Sequence, residues 1–112
     1  MPSEEKYDVK EFWKFDMRVG KVLEAERVPG TRKLIKMIVD LGGSRKTVVT
    51  GIADQIDPSL LRGKKFIFVT NLKERGIRGI VSEAMLLVAE EEGGRVHLIP
   101  VDDEVPVGTR VW

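Results

Sequence analysis

The 112-residue sequence predicts an all-β domain, a small barrel of about five strands, on three observations. Between Leu34 and Leu41 the apolar residues Ile35, Met37, Val39 and Leu41 alternate with Lys36 and Asp40, the period of a half-buried strand. Further β-branched runs recur between glycine-containing breaks at Pro29-Gly30, Gly42-Gly43 and Gly63. A single short helix start, Asp57-Pro58, interrupts the strands after the third.

Taken in order, residues 3 to 8 are polar and expected to fray. Val9 to Phe15 reads as a short helix presenting Phe12, Trp13 and Phe15, aromatics expected to plug one end of the core rather than to stack on bases. Met17 to Val28 forms the first long strand, with Gly20 as the expected bend or bulge. Pro29-Gly30 turns the chain into the strand ending at Leu41, and Gly42-Gly43 joins that strand as a hairpin to Arg45–Ile52. The Asp57-Pro58 helix ends at Gly63, and Lys65 to Thr70 is the fourth strand. Ala84 to Ala89 (AMLLVA) lacks alternation and reads as a strand buried on both faces or as a short core segment. Val96 to Ile99 and a last piece ending in Val111-Trp112 form a C-terminal strand extension. The order β-β-β-α-β-β is that of the OB-fold, a five-stranded Greek-key barrel that binds oligonucleotides on one face and through its loops, although turn-rich all-β small domains also include other barrels and sandwiches.

Composition narrows the function classes. The length fits a single domain over residues 1–112, too short for separate cofactor and substrate halves. With no cysteine, there are no disulfides, thiolate metal sites or thiol nucleophiles. His97 is the only histidine, in an alternating strand, and the acidic runs Glu90–Glu92 and Asp102–Glu104 lack calcium-loop spacing. No phosphate-cradling glycine motif opens a helix. Neither catalysis nor a metal or other cofactor is therefore expected. The N-terminus has no signal-peptide core and no apolar run reaches the ~18 residues of a membrane span, so a cytoplasmic protein is expected. Asn71 and Gln55 are the only side-chain amides beside abundant Lys, Arg and Glu, which suggests a thermophilic source.

Charge is segregated. From Arg62 to Arg78 the cations Arg62, Lys64, Lys65, Lys73, Arg75 and Arg78 face the single acid Glu74, a local +5, whereas the whole chain is +1. A solvated face is the ordinary reading of such a run. A polyanion-docking loop is the sharper one.

The segments Arg18-Val19-Gly20, Lys33-Leu34, Val39-Asp40-Leu41-Gly42, Val49-Thr50-Gly51-Ile52, Asn71-Leu72-Lys73, Arg78-Gly79 and Ser82-Glu83-Ala84-Met85-Leu86-Leu87 decide between these readings. In this order and spacing they resemble the tRNA-binding domain found at the C-terminus of methionyl-tRNA synthetase and as a separate beta subunit. The resemblance covers a core of residues 12–89, and the spelling PGTRKL is closer to the beta-subunit form. Ala84 replaces a common glycine, and Glu74-Arg75 stands where proline and a basic residue are frequent. The resemblance implies an OB-fold without catalytic activity that grips tRNA with little sequence preference, commonly as a homodimer, and works beside a catalytic methionyl-tRNA synthetase subunit. The extension 90–112 is expected to contribute to the dimer.

Carried over by position, the candidate tRNA-binding residues are Lys33, Asn71, Lys73, Arg78, Ser82 and Met85, with Arg75 added from the loop's own charge. Lys33, Lys73, Arg75 and Arg78 suit phosphates, while Asn71 and Ser82 offer donors and acceptors to a sugar or base edge. Asn71 reads equally as a turn residue, Ser82 as a local cap and Met85 as a core methionine. A second function class stays open: a peptide-binding module resembling the secretion-associated chaperone that shares this fold and dimer form.

Overall fold

The computed structural model describes residues 4–112, so Ser3, the first residue of the expected frayed stretch, lies outside the described residues. Asp8 caps a single helical turn, α1 (Val9–Phe12), its carboxylate accepting from the Lys10 amide at 2.9 Å. The helix stops at Phe12 instead of reaching Phe15. Ten strands follow: β1 (Met17–Arg27), β2 (Ile35–Asp40), β3 (Arg45–Thr50), β4 (Lys65–Val69), β5 (Arg75–Ile77), β6 (Ile80–Ser82), β7 (Met85–Leu86), β8 (Val88–Glu90), β9 (Val96–Leu98) and β10 (Arg110–Val111).

The barrel sheet runs β3-β2-β1-β4-β7, all antiparallel, with β10 added to the start of β1. It is the expected OB-like barrel. A 3-10 turn, Pro58–Leu60, falls between β3 and β4, as the Asp57-Pro58 signature predicts. Leu61, just after that turn, is fully buried. Burying such a side chain stabilises the fold by about 1.5–3 kcal/mol. The strict alternation of β2 puts Ile35, Met37 and Val39 at 0% exposure, where they meet Val22, Val48, Phe66 and Phe68 in one core.

The barrel closes by a seam instead of a full ladder. The Val49 amide donates to the Ser82 hydroxyl at 3.0 Å, the Thr47 amide to the Glu83 carboxylate at 2.8 Å, and the Glu83 amide to the Thr47 carbonyl at 2.8 Å. These three bonds join β3 to the end of β6 and the residue after it, where the sheet would otherwise have an open edge.

Several sequence expectations need correction. The β1 irregularity lies between Val22 and Glu24, not at Gly20. Gly20 serves close packing: a Cβ there would meet Val39, Phe68 and Leu41 at 2.7 to 2.9 Å. AMLLVA is not one doubly buried strand. It breaks at Leu87, whose amide turns back to the Ile67 carbonyl, leaving β7 on the barrel and β8 paired with β9. The aromatics Phe12, Trp13 and Phe15 do not plug the core, since each is 45–47% exposed. None of them belongs to the core cluster: Phe12 and Phe15 line an open hollow with Tyr7, and Trp13 lines a neighbouring one with Arg110 and Trp112.

Candidate nucleic-acid interface

The loop after β4 is more ordered than its charge suggests. Arg75–Ile77 and Ile80–Ser82 pair as a hairpin, leaving Arg78 and Gly79 as a two-residue turn. Both have positive φ, 53° and 80°, as a type I′ hairpin requires. The turn projects the Arg78 guanidinium at the hairpin tip.

On one side of this hairpin lies a small pocket of about 50 Å³, walled by Val49, Leu72, Ile77 and Met85 and lined also by Lys73 and Arg75. It has room for a few waters, so a base would lie across its mouth. Met85 is 42% exposed here, which favours the surface reading of this residue over the core one. On the other side an open groove of about 890 Å³ runs between Thr31, Arg32 and Lys33 and the hairpin residues Ile77 and Arg78, with Asp54 as its one acid. Ile77 lines both.

The structure thus brings Lys33 to Arg78 and Lys73 to Arg75, Ser82 and Met85, two clusters sharing one strand. Arg32 joins the first cluster and was not picked out from the sequence, although the TRK run that contains it was the available signal. Arg32, Lys33, Lys73, Arg75 and Arg78 are all exposed, and none forms an ion pair with a described residue. Their charges remain available to a partner.

The +5 run does not form a single patch. The Arg62 Nε donates to the Ala25 carbonyl at 2.9 Å, and the Lys65 Nζ to the carbonyls of Asp103 and Val105 at 2.6 and 2.8 Å. Arg62 thereby ties the turn after the 3-10 helix to β1, and Lys65, on β4, ties down the 103–105 loop, so both cations are engaged within the barrel.

Ser82 is 7% exposed, and its hydroxyl both accepts from Val49 and donates to the Ala84 carbonyl at 3.1 Å. It lines the pocket with its bonding capacity turned inward. Asn71 lies away from both clusters, lining a separate apolar hollow with Tyr7, Phe12 and Phe15. Its Oδ1 accepts from the Asp16 amide and its Nδ2 donates to the Lys14 carbonyl, both at 2.7 Å. Beside it the Thr70 hydroxyl bonds the Asp16 carboxylate, and Arg18 pairs with that carboxylate at 3.0 Å. The Thr70 bond first, and then the Arg18 bond, hold the Asp16 carboxyl below its usual range.

Among the described residues no three histidines or carboxylates are placed to hold a metal ion. Glu91, in the first acidic run, instead contacts His97 and Arg95. No helix among the described residues is long and apolar enough to cross a membrane.

An OB-like barrel that presents unpaired cations around an exposed apolar slot has the layout of an oligonucleotide-binding module. Residues 17–110 match the family described as "Putative tRNA binding domain", and the chain belongs to that family. It is 42% identical over 107 residues to the methionine–tRNA ligase of Methanocaldococcus jannaschii, a match covering 96% of this chain but 16% of the ligase. The chain thus spans about a sixth of the curated relatives it matches. A MetRS-related protein of Pyrococcus horikoshii superposes with a TM-score of 0.96 at 61% identity, covering 96% of this chain and 99% of that one. The chaperone CsaA of Bacillus anthracis superposes at 0.85 with 28% identity, covering 96% of this chain and 100% of that one.

Proposed function

We propose that this protein is a non-catalytic, largely sequence-non-specific tRNA-binding module that recruits tRNA for methionyl-tRNA synthetase. The observation carrying this reading is the set of five unpaired cations, Arg32, Lys33, Lys73, Arg75 and Arg78, around a hairpin that also bears an exposed apolar slot. The cations engage phosphates, and an unstacked base rests on Leu72 and Met85. Because phosphates carry no sequence information, such a surface accepts many tRNAs. Raising tRNA concentration near a synthetase increases avidity without adding chemistry. No cofactor is needed, and the cytoplasm is where the partners of such a module work.

The module acts as a homodimer. Tyr7, Phe12 and Phe15 line one exposed apolar hollow, and Trp13 lines another with Arg110 and Trp112, the last 80% exposed. A second copy covers this surface, with the C-terminal extension taking part. Filter binding with bulk tRNA and duplex DNA at two salt concentrations tests the main reading. Phosphate-led binding falls linearly in log K against log salt, with a slope magnitude of up to about 4 for five contacts. A flat response overturns it.

Similarity to CsaA and the apolar slot favour a second reading, in which the groove holds an extended peptide. Apolar peptide binding is nearly insensitive to salt, so the same titration separates the two.

A further inference from the structure

Asn71 opens the segment that carries Leu72, Lys73 and Arg75, yet its side chain points away from them toward the N-terminal segment. Its two hydrogen bonds, to the Lys14 carbonyl and from the Asp16 amide, flank Phe15 on both sides. Fixing those two backbone groups fixes the stretch that bears Trp13 and Phe15. The same knot takes in the end of β4, because the Thr70 amide donates to the Asp16 carbonyl at 2.8 Å and the Thr70 hydroxyl bonds the Asp16 carboxylate. It also reaches the C-terminal segment, since Arg18 donates to the Gly108 carbonyl at 3.2 Å.

Arg75 lies four positions after Asn71, a span of at most about 14 Å, so the anchored Asn71 sets where the chain enters the basic hairpin. The link works in both directions. Whatever steadies the hairpin favours the ordered N-terminal segment by the same free energy with which a cover on that segment favours the hairpin.

We propose that Asn71 is a positioning residue that couples the basic hairpin to the aromatic N-terminal segment, so that a polyanion on the hairpin and cover over the aromatic face strengthen each other. This rests on the tRNA-binding reading above. Asn71 itself touches no phosphate in this scheme. It exerts its effect through the placement of Lys73 and Arg75, which makes it separable from a contact residue.

The experiment uses the full chain with Trp112→Phe, so that Trp13 is the only tryptophan, titrated with bulk tRNA while acrylamide quenching of Trp13 is followed. Addition of tRNA is expected to lower the quenching constant in this parent. In the parent carrying Asn71→Ala, tRNA affinity is expected to fall about five-fold with the salt slope unchanged, and the tRNA-dependent protection of Trp13 to disappear. Thr70→Val, which loosens the same knot from the β4 side without touching Asn71, is expected to give the same pattern more weakly. Equal tRNA affinity and equal Trp13 protection in parent and Asn71→Ala, or a lowered salt slope in the variant, overturn the proposal. Absence of tRNA binding by the parent overturns the tRNA-binding reading instead, and the coupling with it.

Discussion

Removing Lys33 and Arg78 together is the most direct test of the groove. They approach one another from opposite walls, the loop after β1 and the tip of the β5–β6 hairpin, and neither is held by an acid. Lys33→Gln preserves length and polarity, and Arg78→Asn suits the left-handed backbone at φ 53°, so the double variant deletes two charges without straining the fold. Each lost phosphate contact lowers the slope of log K against log salt by about 0.7 to 0.9. Two contacts lower it by about 1.4 to 1.8, which at 0.1 M salt amounts to a roughly 25- to 60-fold loss of affinity that vanishes near 1 M. Filter binding with bulk tRNA over a salt series measures both quantities. Parallel lines for parent and variant, with equal melting temperatures, would refute the assignment of phosphates to this groove.

Other outcomes follow from the packing. Gly20→Ala is expected to destabilise by about 1–3 kcal/mol in urea unfolding, because Val39 and Phe68 are fully buried and have no room to yield. Ser82→Ala leaves the Val49 amide unpaired at the seam and is expected to cost about 1–3 kcal/mol, read as a lowered melting temperature with an unchanged salt slope for tRNA. Asp16, held below its usual range, contributes stability above about pH 4 that is lost as the pH falls through its depressed native value. Asp16→Asn is therefore expected to be less stable than the parent at pH 7, and the difference to close toward pH 2. For the dimer, sedimentation at micromolar concentration is expected to give twice the chain mass, and Phe12→Glu with Trp13→Glu to give one chain mass.

Local signals were readable where the partner of a residue lies close in sequence. The alternation of Ile35, Met37 and Val39, and the cap at Asp57 before Pro58, each predicted the element found, because a two-residue period and an N-cap are properties of a few consecutive residues. The β5–β6 hairpin reads in the sequence only as a cationic loop. Its turn is Arg78-Gly79 in place of Asn-Gly, and RGIRGI offers too few apolar residues to show a period. The two side-chain amides were harder still. Asn71 bridges to residues 55 and 57 positions away, and Gln55 clips the β8–β9 turn by bonding the Gly94 carbonyl and the Val96 amide across 39 and 41 positions. Nothing beside either amide in the sequence announces so distant a partner. The candidate cations were legible as charge, but Arg62 and Lys65 differ from Lys33 and Arg78 only in what the fold places beside them.

The closing seam has a kinetic consequence. The ladders between β1, β2 and β3 run for six residue pairs each, whereas β3 meets the far edge of the barrel through three hydrogen bonds, two of them to side chains. Local opening follows the fewest bonds, so the amides of Thr47, Val49 and Glu83 exchange with solvent before those of β2. Val49 and Ser82 also line the apolar slot. The slot is thus built on a lightly fastened line of the barrel, and its width follows the seam: the wall against which a base would rest can part and re-form while the long β1–β2–β3 ladders hold.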